Sequence, residues 1–193
     1  MDLILASTSP YRRTQIERLG VSFRCVAPDL DEEAAKAAFG PASPRDLAVH
    51  LARAKAASIA GREPEAVVIG GDQLVAFDGR VLGKPGTAEQ AMAQLAAMSG
   101  RSHELITAVV VFHEGRASVH TDVATLSLRP LTLEEIQRYV EADRPLDCAG
   151  SYRLESRGIA LFERIESDDH SAIIGVPLIA LTSILRSIGF AIP

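Results

Sequence analysis

The chain has 193 residues, the length of one domain, and its 47% hydrophobic and 23% charged residues exclude a disordered, collagenous or coiled-coil protein. Twenty Lys and Arg against twenty-five Asp and Glu leave a net charge of −5, which argues against a nucleic-acid coat or an anionic-membrane binder and requires any polyanion to be held locally. The two cysteines, Cys25 and Cys148, show no CxxC or Cys/His spacing, and no apolar run is long enough for a signal peptide or a membrane span, so a cytoplasmic protein with reduced thiols is expected.

Leu3 to Ala6 reads as a short buried strand, and Ser9-Pro10 as the start of a helix that ends at Gly20. Val21 to Ala27 is a second strand, followed by the acidic run Asp29-Leu30-Asp31-Glu32-Glu33. Ser43-Pro44 opens a helix to about Ala60. Ala66 to Phe77 is rich in Val, Ile and Leu, and the Asp78-Gly79 turn leads into Arg80-Val81-Leu82. Thr87 to Gln90 reads as a capping box for a helix stopping at Ser99-Gly100, and strands near 104–113 and 117–128 flank Glu114-Gly115. A second capping box at Thr132 to Glu135, a strand near 158–165 and a helix from Pro177 to about Ser187 complete the chain, with no repeat or linker. The pattern predicts a single α/β domain over residues 1–193 with a mixed sheet; no GxGxxG or Walker A sequence is present.

Five segments carry residue types suited to chemistry. The turn Ser7-Thr8-Ser9-Pro10-Tyr11-Arg12-Arg13 offers hydroxyls, a helix N-terminus and guanidinium groups suited to phosphate, although an ordinary capped helix with solvated arginines reads equally well. In Gly70-Gly71-Asp72-Gln73, a carboxylate within an apolar run needs a cation, a metal or a role as base, and two glycines permit close approach; the alternative is a turn with a surface acid. Lys55 and Lys84 are cations of interest that, taken alone, read as solvated surface lysines. Asp31-Glu32-Glu33 could ligate Mg²⁺ or be a plain charge run, and the five histidines show no ligand spacing; Asp168-Asp169-His170 reads as a polar loop.

Together, LILASTSPYRR, DEE, LARAKA, VVIGGDQLVAFDGRVLGKP, MSGRSHELITA, CAGSYRLESRGIALFERI and IIGVPLIAL span nearly the whole chain and resemble the Maf family of nucleoside triphosphate pyrophosphatases. The resemblance implies a Maf/ITPase-like α/β fold, a mixed, elongated sheet flanked by helices with a nucleotide-binding cleft. It also implies cleavage between the α- and β-phosphates, dependent on a divalent metal, Mg²⁺ or Mn²⁺. Asp72 matches the family's catalytic acid/base; Ser7, Arg12, Lys55 and Lys84 match its phosphate-binding positions; Glu32, with Asp72, matches the carboxylates near the metal.

Tyr11, Gln73 and Glu155 depart from the commoner SPRR, GADT and AGAYGI-glutamine pattern and resemble the subgroup acting on 7-methyl-GTP. Exchanging an arginine for an aromatic and a glutamine for a glutamate suits a cationic methylated guanine: Tyr11 can stack on it, for about 0.5–2 kcal/mol, and Glu155 can accept from its N1–H and N2 amine, with Gln73 positioning it. With aromatics at only 5% and no Trp, Tyr11 in this turn is conspicuous. The competing readings are the dTTP/UTP specificity of the larger subgroup and a nucleotide-binding regulator of septum formation. A nucleoside triphosphate is the expected partner, with no nucleic acid and no membrane, and a homodimer is implied by family analogy alone.

Overall fold

The computed structural model describes residues 1–40 and 43–193. Leu3–Ala6 forms strand β1, buried throughout. The Ser9 hydroxyl accepts the Arg12 N–H, Pro10 takes the first helical position, and helix α1 covers Pro10–Glu17, with residues 18–20 continuing as a turn. The expected strand over 21–27 contracts to β2, Arg24–Val26, which pairs with Ile4, Leu5 and Ala6, while Val21 and Phe23 pack on the apolar core. The acidic run is a helix start: Asp31 accepts the Ala34 N–H, and Glu32 and Glu33 sit in the first turn of α2, Glu32–Phe39, where the helix dipole favours carboxylates.

Helix α3, Pro44–Ala60, is capped by Ser43, and strand β3, Val67–Phe77, returns to strand β4, Arg80–Leu82, through Asp78-Gly79, both with positive φ as a tight hairpin requires. Helix α4 covers Ala88–Met98, strands β5 and β6 cover Ser102–His113 and Arg116–Leu128, and helix α5, Leu133–Asp143, opens with the full Thr132/Glu135 capping box. At Thr87 only the hydroxyl half of the expected box forms, accepting the Gln90 N–H. Residues 158–161, expected to open a strand near 158–165, instead belong to a 3-10 turn over Arg157–Leu161; Gly158 lies so close to the Arg153 carbonyl that an added Cβ would be 2.3 Å from its oxygen. Strand β7 is therefore Phe162–Glu166. A short helix not anticipated from sequence, α6 at His170–Ile174, precedes α7, Leu178–Ile188.

Among the described residues the strands share one sheet in the order β2-β1-β3-β5-β6-β7, with β4 on β3. Pairing is parallel at β1–β2 and β1–β3 and antiparallel at β3–β4 and β6–β7, so the fold is a mixed α/β sheet with helices. The chain divides into two compact units: Met1–Gln73, Ile106–Asp122 and Asp168–Pro193 form the first, and Leu74–Leu105 with Val123–Ser167 the second.

In the first unit, strand alternation sorts the core into two faces. Leu3, Leu5, Val67 and Ile69 pack with Ile16 of α1 and Leu178, Leu181 and Leu185 of α7, whereas Ile4, Ala6 and Val68 pack with Ala56 and Ile59 of α3. In the second unit the buried His103 ring hydrogen-bonds Tyr152 Oη at 2.8 Å beside Phe162. Burial holds the His103 pKa down at about 4, so the ring is neutral at physiological pH. No helix among the described residues is long and apolar enough to cross a membrane.

Candidate active site

The side of β3 that meets α3 continues from Val68 through Gly70 to Asp72. A Cβ at Gly70 would lie 2.2 Å from the Ala52 carbonyl oxygen and 2.8 Å from the Ala56 Cβ, so the bare backbone of the strand packs against helix backbone and the Ala56 methyl. Lys55, within that stretch of α3, therefore reaches Asp72 directly. Its Nζ donates to Asp72 Oδ1 at 2.7 Å and pairs with Glu32 Oε1 at 3.0 Å. Lys55 and Asp72 are each only 5% exposed, whereas Glu32, at the first position of α2, is partly open to solvent.

Burial pushes the Asp72 pKa above the ordinary carboxylate range; the Lys55 ammonium and then the Arg12 guanidinium pull it back, and the Glu32 charge adds to the rise. Its Oδ2 is buried without a hydrogen-bond partner. An acceptor left in that state costs free energy, and such costs are tolerated where a site has use for the atom.

Arg12 approaches from α1, half-buried, and its Nε donates to the Gly175 carbonyl at 3.3 Å. It runs past two glycines: a Cβ at Gly71 would be 3.5 Å from Nε, and one at Gly175, where φ is +125°, 3.5 Å from Cγ. The space left by the Gly70-Gly71 pair is thus taken by the protein itself, Gly70 by α3 and Gly71 by Arg12, rather than left for a ligand as the sequence suggested. Ser7, also buried, accepts the Ser9 N–H at 3.1 Å and donates its own N–H to Leu5. Tyr11, on the same helix, is 45% exposed.

Gln73 points to the opposite face of β3, and its amide nitrogen lies 2.9 Å from Thr107 Oγ1, 2.9 Å from the Ala172 carbonyl and 3.1 Å from that of Ile173. The amide nitrogen is thereby engaged with α6. Sequence reasoning missed the residue that holds α6 in place, Asp169, assigned to a polar loop. It is buried, caps α6 through the Ser171 N–H and accepts the Ile179 N–H of α7 at 2.8 Å, while Ser171 Oγ accepts from Leu178 at 2.8 Å. The legible signal was an Asp two residues before a Ser at a helix start.

Lys84 and Glu155 belong to the second unit. Both are exposed, and neither side chain makes a hydrogen bond or ion pair among the described residues. Lys84 sits in the loop after β4, and Glu155 in a turn closed by the Ser156 N–H on the Arg153 carbonyl at 3.2 Å.

No group of three or more His, Cys, Asp or Glu gathers among the described residues. Asp72 and Glu32 nonetheless meet at one ammonium, and Asp72 Oδ2 lacks a partner. Mg²⁺ and similar hard cations commonly take only one or two protein carboxylates, completing their shell with water and substrate phosphates, so this donor set fits such an ion in the company of a triphosphate.

The family profile described as Maf-like protein matches residues 2–188. Relatives that carry the name 7-methyl-GTP pyrophosphatase include two that match over nearly their full length. One, from Bdellovibrio bacteriovorus, is 47% identical over 186 residues, covering 96% of each chain; the other, from Xanthomonas axonopodis pv. citri, is 48% identical over 191 residues, covering 99% of this chain and 98% of its own. The Ham1 protein of Staphylococcus aureus aligns in structure with a TM-score of 0.41 and 10% identity, over 67% of this chain and 73% of that one.

Proposed function

This chain belongs to the Maf family, and on that premise we propose that it is a nucleoside triphosphate pyrophosphatase that hydrolyses 7-methyl-GTP to 7-methyl-GMP and pyrophosphate, removing a modified nucleotide before it enters nucleic acid. The observation that carries this reading is the near-full-length identity of 47–48% to proteins of that name. The site's chemistry agrees with it. Water attacks the α-phosphorus, the bond from phosphorus to the α,β-bridging oxygen breaks, pyrophosphate leaves, and the water proton passes to Asp72, whose buried Oδ2 is the carboxylate oxygen without a hydrogen bond.

Burial makes Asp72 a stronger base than an ordinary carboxylate, and Lys55 limits that rise and engages Oδ1, which leaves Oδ2 to take the proton. Ser7, Arg12, Lys55 and Lys84 bind phosphate oxygens. A divalent cation, Mg²⁺ or Mn²⁺, on Asp72 and Glu32 would supply charge neutralisation for the phosphates. Exposed Tyr11 stacks on the methylated base and Glu155 accepts from its edge, while Gln73, engaged with Thr107 and α6, acts on the base indirectly by tying the middle of β3 to α6. The same reading makes the protein cytoplasmic and a homodimer, the latter checked by light scattering on the purified chain.

The deciding experiment is a panel of 7-methyl-GTP, GTP, UTP and dTTP with pyrophosphate detection, with and without Mg²⁺. The expected result is metal-dependent release that is fastest from 7-methyl-GTP. A clear preference for UTP or dTTP would assign the chain to the other Maf specificity.

A further inference from the structure

One side chain in the second unit joins two segments that the proposed function uses separately. Gln94, half-buried on α4, donates from Nε2 to the Gly83 carbonyl at 3.1 Å, immediately before Lys84. Its Oε1 accepts from Ser151 Oγ at 2.6 Å. Ser151 is fully buried and holds a left-handed backbone, φ +63°, directly after Gly150 at φ +74°. A non-glycine residue keeps that conformation only where its surroundings impose it. Here the surroundings are its N–H bond to the Cys148 carbonyl at 3.1 Å and the hydroxyl bond to Gln94.

The chain after Ser151 is fastened in turn. Tyr152 bonds His103, and the Arg153 N–H donates to Tyr139 Oη at 3.0 Å, so the placement of Ser151 carries on to the turn that displays Glu155. Among the described residues, Gln94 is the only side chain that bonds both the Lys84 loop and this segment.

We infer that Gln94 is a positioning residue: its amide sets the Lys84 loop and the Glu155 turn in one register, so that grip on the phosphates and reading of the base are coupled. The inference rests on the roles proposed above for Lys84 and Glu155, but its structural core can be tested without them. Each end of the amide has a different partner, so each can be cut alone. Gln94→Glu keeps the acceptor for Ser151 and removes the donor to Gly83; Ser151→Ala keeps the Gly83 bond and removes the other; Gln94→Leu removes both.

Hydrogen exchange on the full chain reads the coupling directly. Gln94→Leu is expected to speed exchange at Lys84 and Gly86 and at Tyr152 to Ser156 together, by roughly 3- to 10-fold, the size of one lost hydrogen bond, with β1 unchanged. Gln94→Glu should loosen only the first group, and Ser151→Ala only the second. With substrate, Gln94→Leu should raise KM for 7-methyl-GTP by a similar factor with kcat within about two-fold, and lower the 7-methyl-GTP to GTP ratio in kcat/KM. Ser151→Ala should move the ratio more than KM. Unchanged exchange at either segment in Gln94→Leu overturns the inference, whatever the substrate proves to be. Changed exchange with wild-type KM and ratio, in an enzyme that does cleave 7-methyl-GTP, overturns the functional half. A wild-type chain inactive on 7-methyl-GTP overturns the proposed function and leaves the exchange result standing.

Discussion

Lys55→Met is the substitution that most directly tests how the Asp72 carboxyl is tuned. Methionine has nearly the length of lysine and fills its buried volume, so the change removes an ammonium and little else. Burial already raises the Asp72 pKa; the Lys55 charge and hydrogen bond at 2.7 Å are the largest influences in the other direction, followed by Arg12. A cation this close typically depresses a carboxyl by about 1–3 pH units, at about 1.4 kcal/mol each. The acid limb of kcat/KM against pH should therefore move up by about 1–3 units in the variant, alongside a drop in the plateau from the lost phosphate contact.

Stability follows the same sign. A carboxyl whose folded pKa lies above its unfolded value contributes most stability below the unfolded value, and that contribution is lost as pH rises through the folded pKa. With the folded pKa raised further, the variant should fall behind wild type in Tm at pH 8 and recover part of the gap near pH 5. The assay is pyrophosphate release between pH 4 and 9, paired with calorimetry at the two pH values. A fall in kcat/KM with an unmoved acid limb would show that Lys55 does not tune the base and would refute the reasoning.

Asp72→Asn should reduce turnover by about 10²- to 10⁴-fold, the range of a lost general base, while Tm at pH 8 holds or rises because a desolvated charge has been removed; lower Tm would mean that the ion pair is a net stabiliser of the fold. Gly70→Ala, whose methyl would fall 2.2 Å from the Ala52 oxygen, should destabilise by about 3 kcal/mol or more in chemical denaturation, and a near-neutral result would show that α3 can move off β3. Glu155→Gln should reduce the ratio of 7-methyl-GTP to UTP turnover; an unchanged ratio removes Glu155 from base reading.

Local grammar was the most legible part of this chain. Ser9-Pro10, Ser43-Pro44 and Thr132 to Glu135 each opened a helix where expected, because a cap is a short-range bond between a side chain and an N–H two or three residues on. The same grammar was present at Asp31 and Asp169 but was masked, in one case by the neighbouring acids and in the other by a helix of five residues. Asp72 stood out because a carboxylate in an apolar strand needs a partner. That the partner is Lys55, seventeen positions earlier, was not legible from spacing, since it depends on α3 folding back over β3. Gln94 was invisible for a related reason: a glutamine on a helix surface carries no signal until its two partners are brought to it.

The contact between Gly70 and α3 has one more consequence. A carboxyl's acidity is usually thought of as the property of its charged neighbours, yet here the length of the ion pair is dictated by a residue with no functional group at all. Any side chain at position 70 would lever the helix outward, lengthen the reach from Lys55 and let the pH optimum drift upward. Substitutions at 56 and 70 would thus register as altered acid–base behaviour in an assay, and a survey restricted to ionisable residues would attribute that behaviour to the wrong part of the protein.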